Sequence, residues 1–244
     1  MQTLQTKNLL KQFDGVKAID HLSISIEKAK ITGIIGPNGS GKSTLINTLT
    51  GMIPVTGGMV VIDEKVTLSR ILPHTVATYG ITRTFQDVRL FEQMPVIDNI
   101  LIVLTERNVW SAIFERHKKF HLEKAEGVLR RVGLLEKRHE LAVNLSYGQR
   151  KLLEIARSLA MDAEIYLYDE PFAGLFPEMI KIVVSIIQEL KRAGKTVVLI
   201  EHNIALIREL SDHVIVMDSG KLLAEGEPHK VLAQRDVIEA YLGE

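Results

Sequence analysis

The chain has no cysteine, which excludes disulfides, thiolate zinc sites and a cysteine nucleophile and fits a reducing compartment. It also lacks a charge excess: 30 basic residues cancel 30 acidic ones. Duplex-binding proteins usually carry a basic surplus, so the balance argues against nucleic acid as a main partner. Long apolar runs are missing too. The longest, such as IKIVVSII at 180–187, are broken by polar residues at helical spacing and fall short of the roughly 20 residues that span a bilayer. The opening residues, MQTLQTKNLLKQFDG, show no basic-then-apolar secretion layout. Any membrane role is therefore expected to be peripheral and to run through a partner protein.

What is present is an ordinary globular composition over 244 residues, 46% hydrophobic and 25% charged, enough for one large domain or a core with an inserted subdomain. Leu4, Thr6 and Asn8 alternate with Thr3, Gln5 and Lys7, and Leu22, Ile24 and Ile26 alternate with Ser23 and Ser25. Both segments read as strands, with Asp14-Gly15 as a turn between them. A short apolar run at 31–35 precedes a glycine-rich loop, a helix at 42–49 that stops at Gly51, and a further strand at 59–62. From 96 to 132 the pattern is helical, with charged clusters such as ERHKKFHLEKAE and the lone Trp110, and 87–160 reads as a helical insertion. Strands at 165–168, 196–200 and 214–217 resume the core, and Asp218-Ser219-Gly220 turns into a hairpin strand at 222–225. Pro177 opens a helix whose apolar face is Ile180, Val183, Val184, Ile187 and Leu190, ended by Gly194. Strands alternating with helices imply an α/β fold with a largely parallel sheet, and nucleotide sites at its carboxyl edge.

The loop itself is GPNGSGKST: Gly36, Pro37, Asn38, Gly39, Ser40, Gly41, Lys42, Ser43 and Thr44. It fits G-x-x-x-x-G-K-[ST] between a strand and a helix, the setting that the motif requires. Gly36, Gly39 and Gly41 let the backbone curl so that N–H groups point at phosphate oxygens, and the helix amino terminus adds its dipole. Lys42 supplies positive charge for the β- and γ-phosphates, Ser43 a hydroxyl for Mg²⁺, and Thr44 a contact to the α- and β-phosphates. The loop implies binding of a nucleoside triphosphate.

A second element, YLYDE, brings Asp169 and Glu170 to a strand end. Alone it is equally a solvated acidic turn or a hydrolytic pair. The phosphate loop upstream favours the second, with Asp169 holding Mg²⁺ through water and Glu170 orienting or deprotonating the attacking water.

The stretch LSYGQRKLLEIARSLA, 145–160, resembles the LSGGQ signature of ABC ATPases, with Tyr147 replacing the first glycine. Its hydroxyl and N–H groups at a helix amino terminus make an anion site. The resemblance covers essentially the whole chain. It implies an ABC ATPase cassette, a P-loop NTPase with an N-terminal antiparallel β-subdomain and an inserted α-helical subdomain. The nucleotide-binding core would be 1–86 and 161–244, and the signature subdomain 87–160, within one domain. It further implies that Ser146, Gly148 and Gln149 cap the γ-phosphate held by a second cassette, and that Phe13 stacks on adenine. Gln86, in TRTFQ, would sense Mg²⁺ and the attacking water, and His202, in LIEHN, would contact the γ-phosphate. ATP and Mg²⁺ are the implied cofactors. Residues 173–177 correspond to the family's D-loop, where Phe176 stands at a position that many relatives fill with Asp.

RTFQDVRLFEQMPVIDNI, GLLEKRHELAVNLSYGQRKLLEIARSLA and DVIEAYLGE are similar to the ATP-binding subunits of branched-chain amino acid importers. That similarity implies a dimer of identical or related cassettes at the cytoplasmic face of the inner or plasma membrane. Two permease subunits would dock at the segment opened by Asp87 and closed by Ile97, fed indirectly by a substrate-binding protein. Val88, Leu90, Phe91, Met94 and Val96 would supply apolar contacts there and Arg89 charge, although some of these residues serve the insertion's own core. The lipopolysaccharide-transport ATPases, similar in length, AGL-type turn and YLGE-like ending, are the alternative; TRTFQ and RLFEQM fit the importer subunit better.

Overall fold

The computed structural model describes residues 2–104 and 116–242, so Trp110 and the last two residues of DVIEAYLGE lie outside the described residues. The chain divides into two compact units: Met1–Arg83, Glu164–Glu170 and Gln188–Glu244 form the first, and Thr84–Ala163 with Pro171–Ile187 the second.

Two sheets build the first unit. One is antiparallel, with β1 (Gln2–Phe13) at its centre, β2 (Val16–Leu22) and β3 (Ser25–Glu27) along one edge, and β5 (Gly57–Ile62) and β6 (Val66–Leu68) on the other. Asp14 and Gly15 both take positive φ, 41° and 92°, as a two-residue hairpin turn between Phe13 and Val16 requires. The continuous strand expected over 22–26 is instead broken at Ser23. There Thr6 Oγ1 donates to the Leu22 carbonyl at 2.9 Å and accepts the Ile24 N–H at 3.1 Å. A side-chain hydroxyl thus replaces ladder bonds opposite Asn8, itself at φ 47°.

The other sheet runs β11-β10-β4-β9-β8-β7, made of β4 (Ile31–Ile35), β7 (Ile81–Arg83), β8 (Ile165–Asp169), β9 (Thr196–Ile200), β10 (His213–Asp218) and β11 (Lys221–Gly226). All neighbours are parallel except the β10–β11 hairpin. Every residue of β4, β8 and β9 is buried, which is why these segments read as unbroken apolar runs. Leu45, Ile46 and Leu49 of α1 (Lys42–Leu49) share one core with Leu4 and Leu9 of β1 and with Ile34, Ile200 and Met217. The three-residue strands β6 and β7 and the 3₁₀ turn Pro73–Tyr79 offer too few periodic positions to be legible in sequence.

The second unit is helical among its described residues, with α2 (Val96–Leu104), α3 (Arg116–Arg131), α4 (Tyr147–Ala160) and most of α5 (Pro177–Arg192). Asn99, fully buried, accepts the Phe91 N–H at 2.9 Å and donates to the Phe91 and Pro95 carbonyls at 3.1 Å each, which fixes the turn before α2. Among the described residues no helix is long and apolar enough to cross a membrane.

Candidate nucleotide site

Three strand ends meet along the carboxyl edge of the parallel sheet. The glycine-rich loop follows β4, Glu170 follows β8 and His202 follows β9, the strand between them. This is the edge at which open α/β sheets bind ligands.

The loop's shape demands its glycines. A Cβ on Gly36 (φ 153°) would stand 2.1 Å from the Met217 carbonyl oxygen, and one on Gly41 (φ 100°) 2.3 Å from that of Ala18. Backbone this tightly packed cannot yield, so the curl that presents N–H groups is locked by β10 on one side and β2 on the other. Lys42 is buried, and its ammonium donates to the carbonyls of Gly36 at 2.8 Å and Pro37 at 2.9 Å and to Ser40 Oγ at 3.3 Å. The charge is held inside the loop it would share with phosphate. Asn38 and Gly39 are exposed at the loop tip, Ser43 is exposed on the first turn of α1, and Thr44 beside it is half-buried.

Asp169 is buried, and its Oδ2 lies 3.6 Å from Arg83 Nη2. Arg83 is held in turn by Asn47 Oδ1 and Thr50 Oγ1 of the α1 end, both at 2.8 Å. Glu170 adopts φ 49°, a left-handed conformation that costs a non-glycine residue about 1–2 kcal/mol, while its N–H donates to the Ile200 carbonyl at 2.9 Å. The sharp turn brings Glu170 Oε1 to 2.9 Å from His202 Nε2. A carboxylate and an imidazole in direct hydrogen bond, with the imidazole exposed to solvent, can orient a water molecule and take its proton. Phe13, at the tip of the β1–β2 hairpin, is 42% exposed with Lys11 Nζ 4.5 Å from its ring centroid, so it is a surface aromatic and not a core residue. These residues suit a triphosphate with a hard cation: the cradle would be filled by any Cβ, and Ser43 and Asp169 offer oxygen donors.

Gln86, Ser146, Gly148 and Gln149 belong to the second unit. Ser146 is the N-cap of α4 and forms a reciprocal capping box with Gln149, accepting its N–H at 3.3 Å while Gln149 Oε1 accepts the Ser146 N–H at 3.0 Å. The S-x-x-Q spacing carried that signal in the sequence, and capping of about 1 kcal/mol accounts for both residues independently of any ligand. Gly148 is buried, with space for a Cβ taken by Met179 Sδ at 2.6 Å. Gln86 is exposed. Of the expected docking residues, Phe91 is exposed and Val88, Leu90 and Met94 half-buried, but Val96 is fully buried. Val96 therefore belongs to the packing of α2, and its expected contact to a partner is corrected. Among the described residues Phe176 is the most exposed of the large apolar side chains, at 72%.

Two residues were missed in the sequence. Arg83, which braces Asp169, sits on a strand too short to read. Glu154, on α4, is buried, and burial pushes its carboxyl up to about 7 against the lowering effect of the Phe85 N–H.

Comparison with known proteins assigns the class. The ABC transporter family matches residues 19–173, and the chain belongs to that family as an ATP-binding cassette ATPase. It is 38% identical over 250 residues to the high-affinity branched-chain amino acid transport ATP-binding protein LivG of Salmonella typhimurium, covering 99% of this chain and 98% of that one. Identity to the probable LivG of Archaeoglobus fulgidus is also 38%, over 100% of this chain and 96% of the relative. With BraF of Pseudomonas aeruginosa it is 36%, over 99% and 98%. Among solved structures, a nucleotide-free ATP-binding cassette from an ABC transporter superposes with a TM-score of 0.86 at 37% identity over the full length of both chains. The ADP conformation of an ATP-binding cassette gives 0.85, again at 37% identity and full coverage.

Proposed function

We propose that the chain is the ATP-hydrolysing subunit of an importer for branched-chain or related amino acids. The reading of the site is carried by one observation, the Glu170–His202 hydrogen bond of 2.9 Å on the same sheet edge as the Lys42 loop. The substrate class is supported by the full-length similarity to LivG and BraF.

In this reading the N–H groups of residues 36–44 hold the phosphates, and Lys42 exchanges its carbonyl partners for phosphate oxygens. Phe13 stacks on the adenine. Ser43, Asp169 and Gln86 would hold Mg²⁺, which would neutralise charge on the phosphates. Glu170 takes the proton of the attacking water, and His202 fixes the Glu170 carboxylate and reaches the γ-phosphate. Ser146, Gly148 and Gln149 face the nucleotide held by a second cassette, so the working unit is a dimer. Residues 87–97, without Val96, receive the permease subunits, which places the chain at the cytoplasmic face of the membrane and couples it indirectly to a substrate-binding protein. The division into a core of 1–86 and 161–244 and a signature subdomain of 87–160 belongs to the same proposal.

Expressed with the permease subunits of a branched-chain amino acid importer, the chain is expected to copurify with them in detergent. Reconstituted with the matching binding protein, it should drive ATP-dependent uptake of leucine, isoleucine or valine. Failure to copurify, or uptake blind to these amino acids, contradicts the reading.

A further inference from the structure

Glu154 is 5% exposed, and none of the roles above uses it. Its carboxylate accepts the Phe85 N–H at 3.2 Å. One helical turn on, Arg157 Nη1 donates to the Arg89 carbonyl, and its guanidinium stands 5.4 Å from the centroid of the Phe91 ring. The Arg89 guanidinium covers the Phe85 ring at 4.1 Å. Two side chains of α4 thus grip the backbone at both ends of residues 85–89 and leave Gln86 and Asp87 exposed between them.

Burying a carboxyl costs several kcal/mol unless its oxygens are used. Here Oε1 is used by an N–H beyond the end of β7, where no strand ladder continues. The arrangement therefore satisfies an irregular stretch of backbone from a rigid helix. Along that helix Glu154 lies about 12 Å, at 1.5 Å per residue, from the amino terminus capped by Ser146.

We propose that Glu154 is a positioning residue that fastens residues 85–89, and with them Gln86, to the helix whose amino terminus carries Ser146 and Gly148, so that segment and helix end move as one piece. A force applied at exposed Phe91 or Arg89 then reaches the amino terminus of α4 without a hinge. The consequence for hydrolysis rests on the proposed function; the backbone clamp does not.

Residue-resolved hydrogen exchange on the full chain, with ATP hydrolysis kinetics on the same samples, tests this in Glu154→Ala and Glu154→Gln. In the alanine variant the Phe85 amide is expected to exchange about tenfold faster while the amides of α4 keep their protection. The kcat should fall several-fold with KM for ATP within about twofold. Glutamine keeps one acceptor oxygen, so it should restore protection at the Phe85 amide and recover part of kcat. If alanine prevents folding, Glu154→Met, of similar length but with no acceptor oxygen, is read in the same way. Unchanged exchange at the Phe85 amide, a uniform rise across the helical unit, or a released amide with wild-type kcat each overturns the proposal. A wild-type chain that hydrolyses no ATP sinks the functional reading, and the exchange arm still decides the clamp.

Discussion

Tyr147 lies over Gly174: a Cβ on Gly174 would come 2.7 Å from Tyr147 Cε1. Tyr147 is the residue that departs from the LSGGQ pattern, and Gly174 sits at φ 72° in the turn that carries Phe176. The two stretches constrain each other within one chain. Gly174→Ala is expected to destabilise the protein by about 2 kcal/mol, from left-handed strain plus the contact with the ring. In a Tyr147→Gly background the contact part disappears, so a double-mutant cycle on urea midpoints should give a coupling of about 1 kcal/mol. Additive effects would show that the ring is not the obstacle.

Lys42→Ala removes an ammonium that the loop already holds through Gly36, Pro37 and Ser40. Loss of a charge-assisted contact to phosphate, about 1.5–3 kcal/mol, predicts ATP affinity lower by roughly 10- to 100-fold in calorimetry. Affinity within twofold of wild type would show that the buried lysine braces the loop and does not bind the ligand.

Glu154 sets a pH dependence whose sign is fixed by burial. Its carboxyl is raised from 4.5 to about 7 in the folded chain, so folding favours the protonated form. The stabilisation is complete below about pH 4.5 and is lost as pH rises through 7. Relative to Glu154→Gln, the wild type should lose roughly 2–3 kcal/mol between about pH 5 and pH 8 in denaturant titrations. A difference that stays flat with pH contradicts the buried, proton-binding state.

Much of this architecture was legible because its residues obey local rules. The helix 42–49, the Asp14-Gly15 turn and the buried strands 31–35 and 196–200 follow from motif, turn chemistry and apolar runs, and the structure has them at those positions. What escaped was decided by tertiary contacts. Thr6 breaks a strand by offering its hydroxyl across the sheet, and Val96 is core because Asn99 ties down the turn before α2. Arg83 and Glu154 look like surface charges until the fold buries them beside Asp169 and Phe85. The left-handed turn at Glu170, which aims it at His202, has no sequence signature, because glutamate does not favour it.

The most direct measurement is the ATP turnover of Glu170→Gln beside its ATP binding and its oligomeric state. Glutamine keeps the shape and a hydrogen bond to His202 but cannot take a proton from water. Turnover is expected to fall by about 100-fold or more, with ATP affinity within about twofold and an ATP-bound dimer accumulating in size-exclusion profiles. Hydrolysis at the wild-type rate would contradict the role assigned to the Glu170–His202 pair, and with it the account of how this site works.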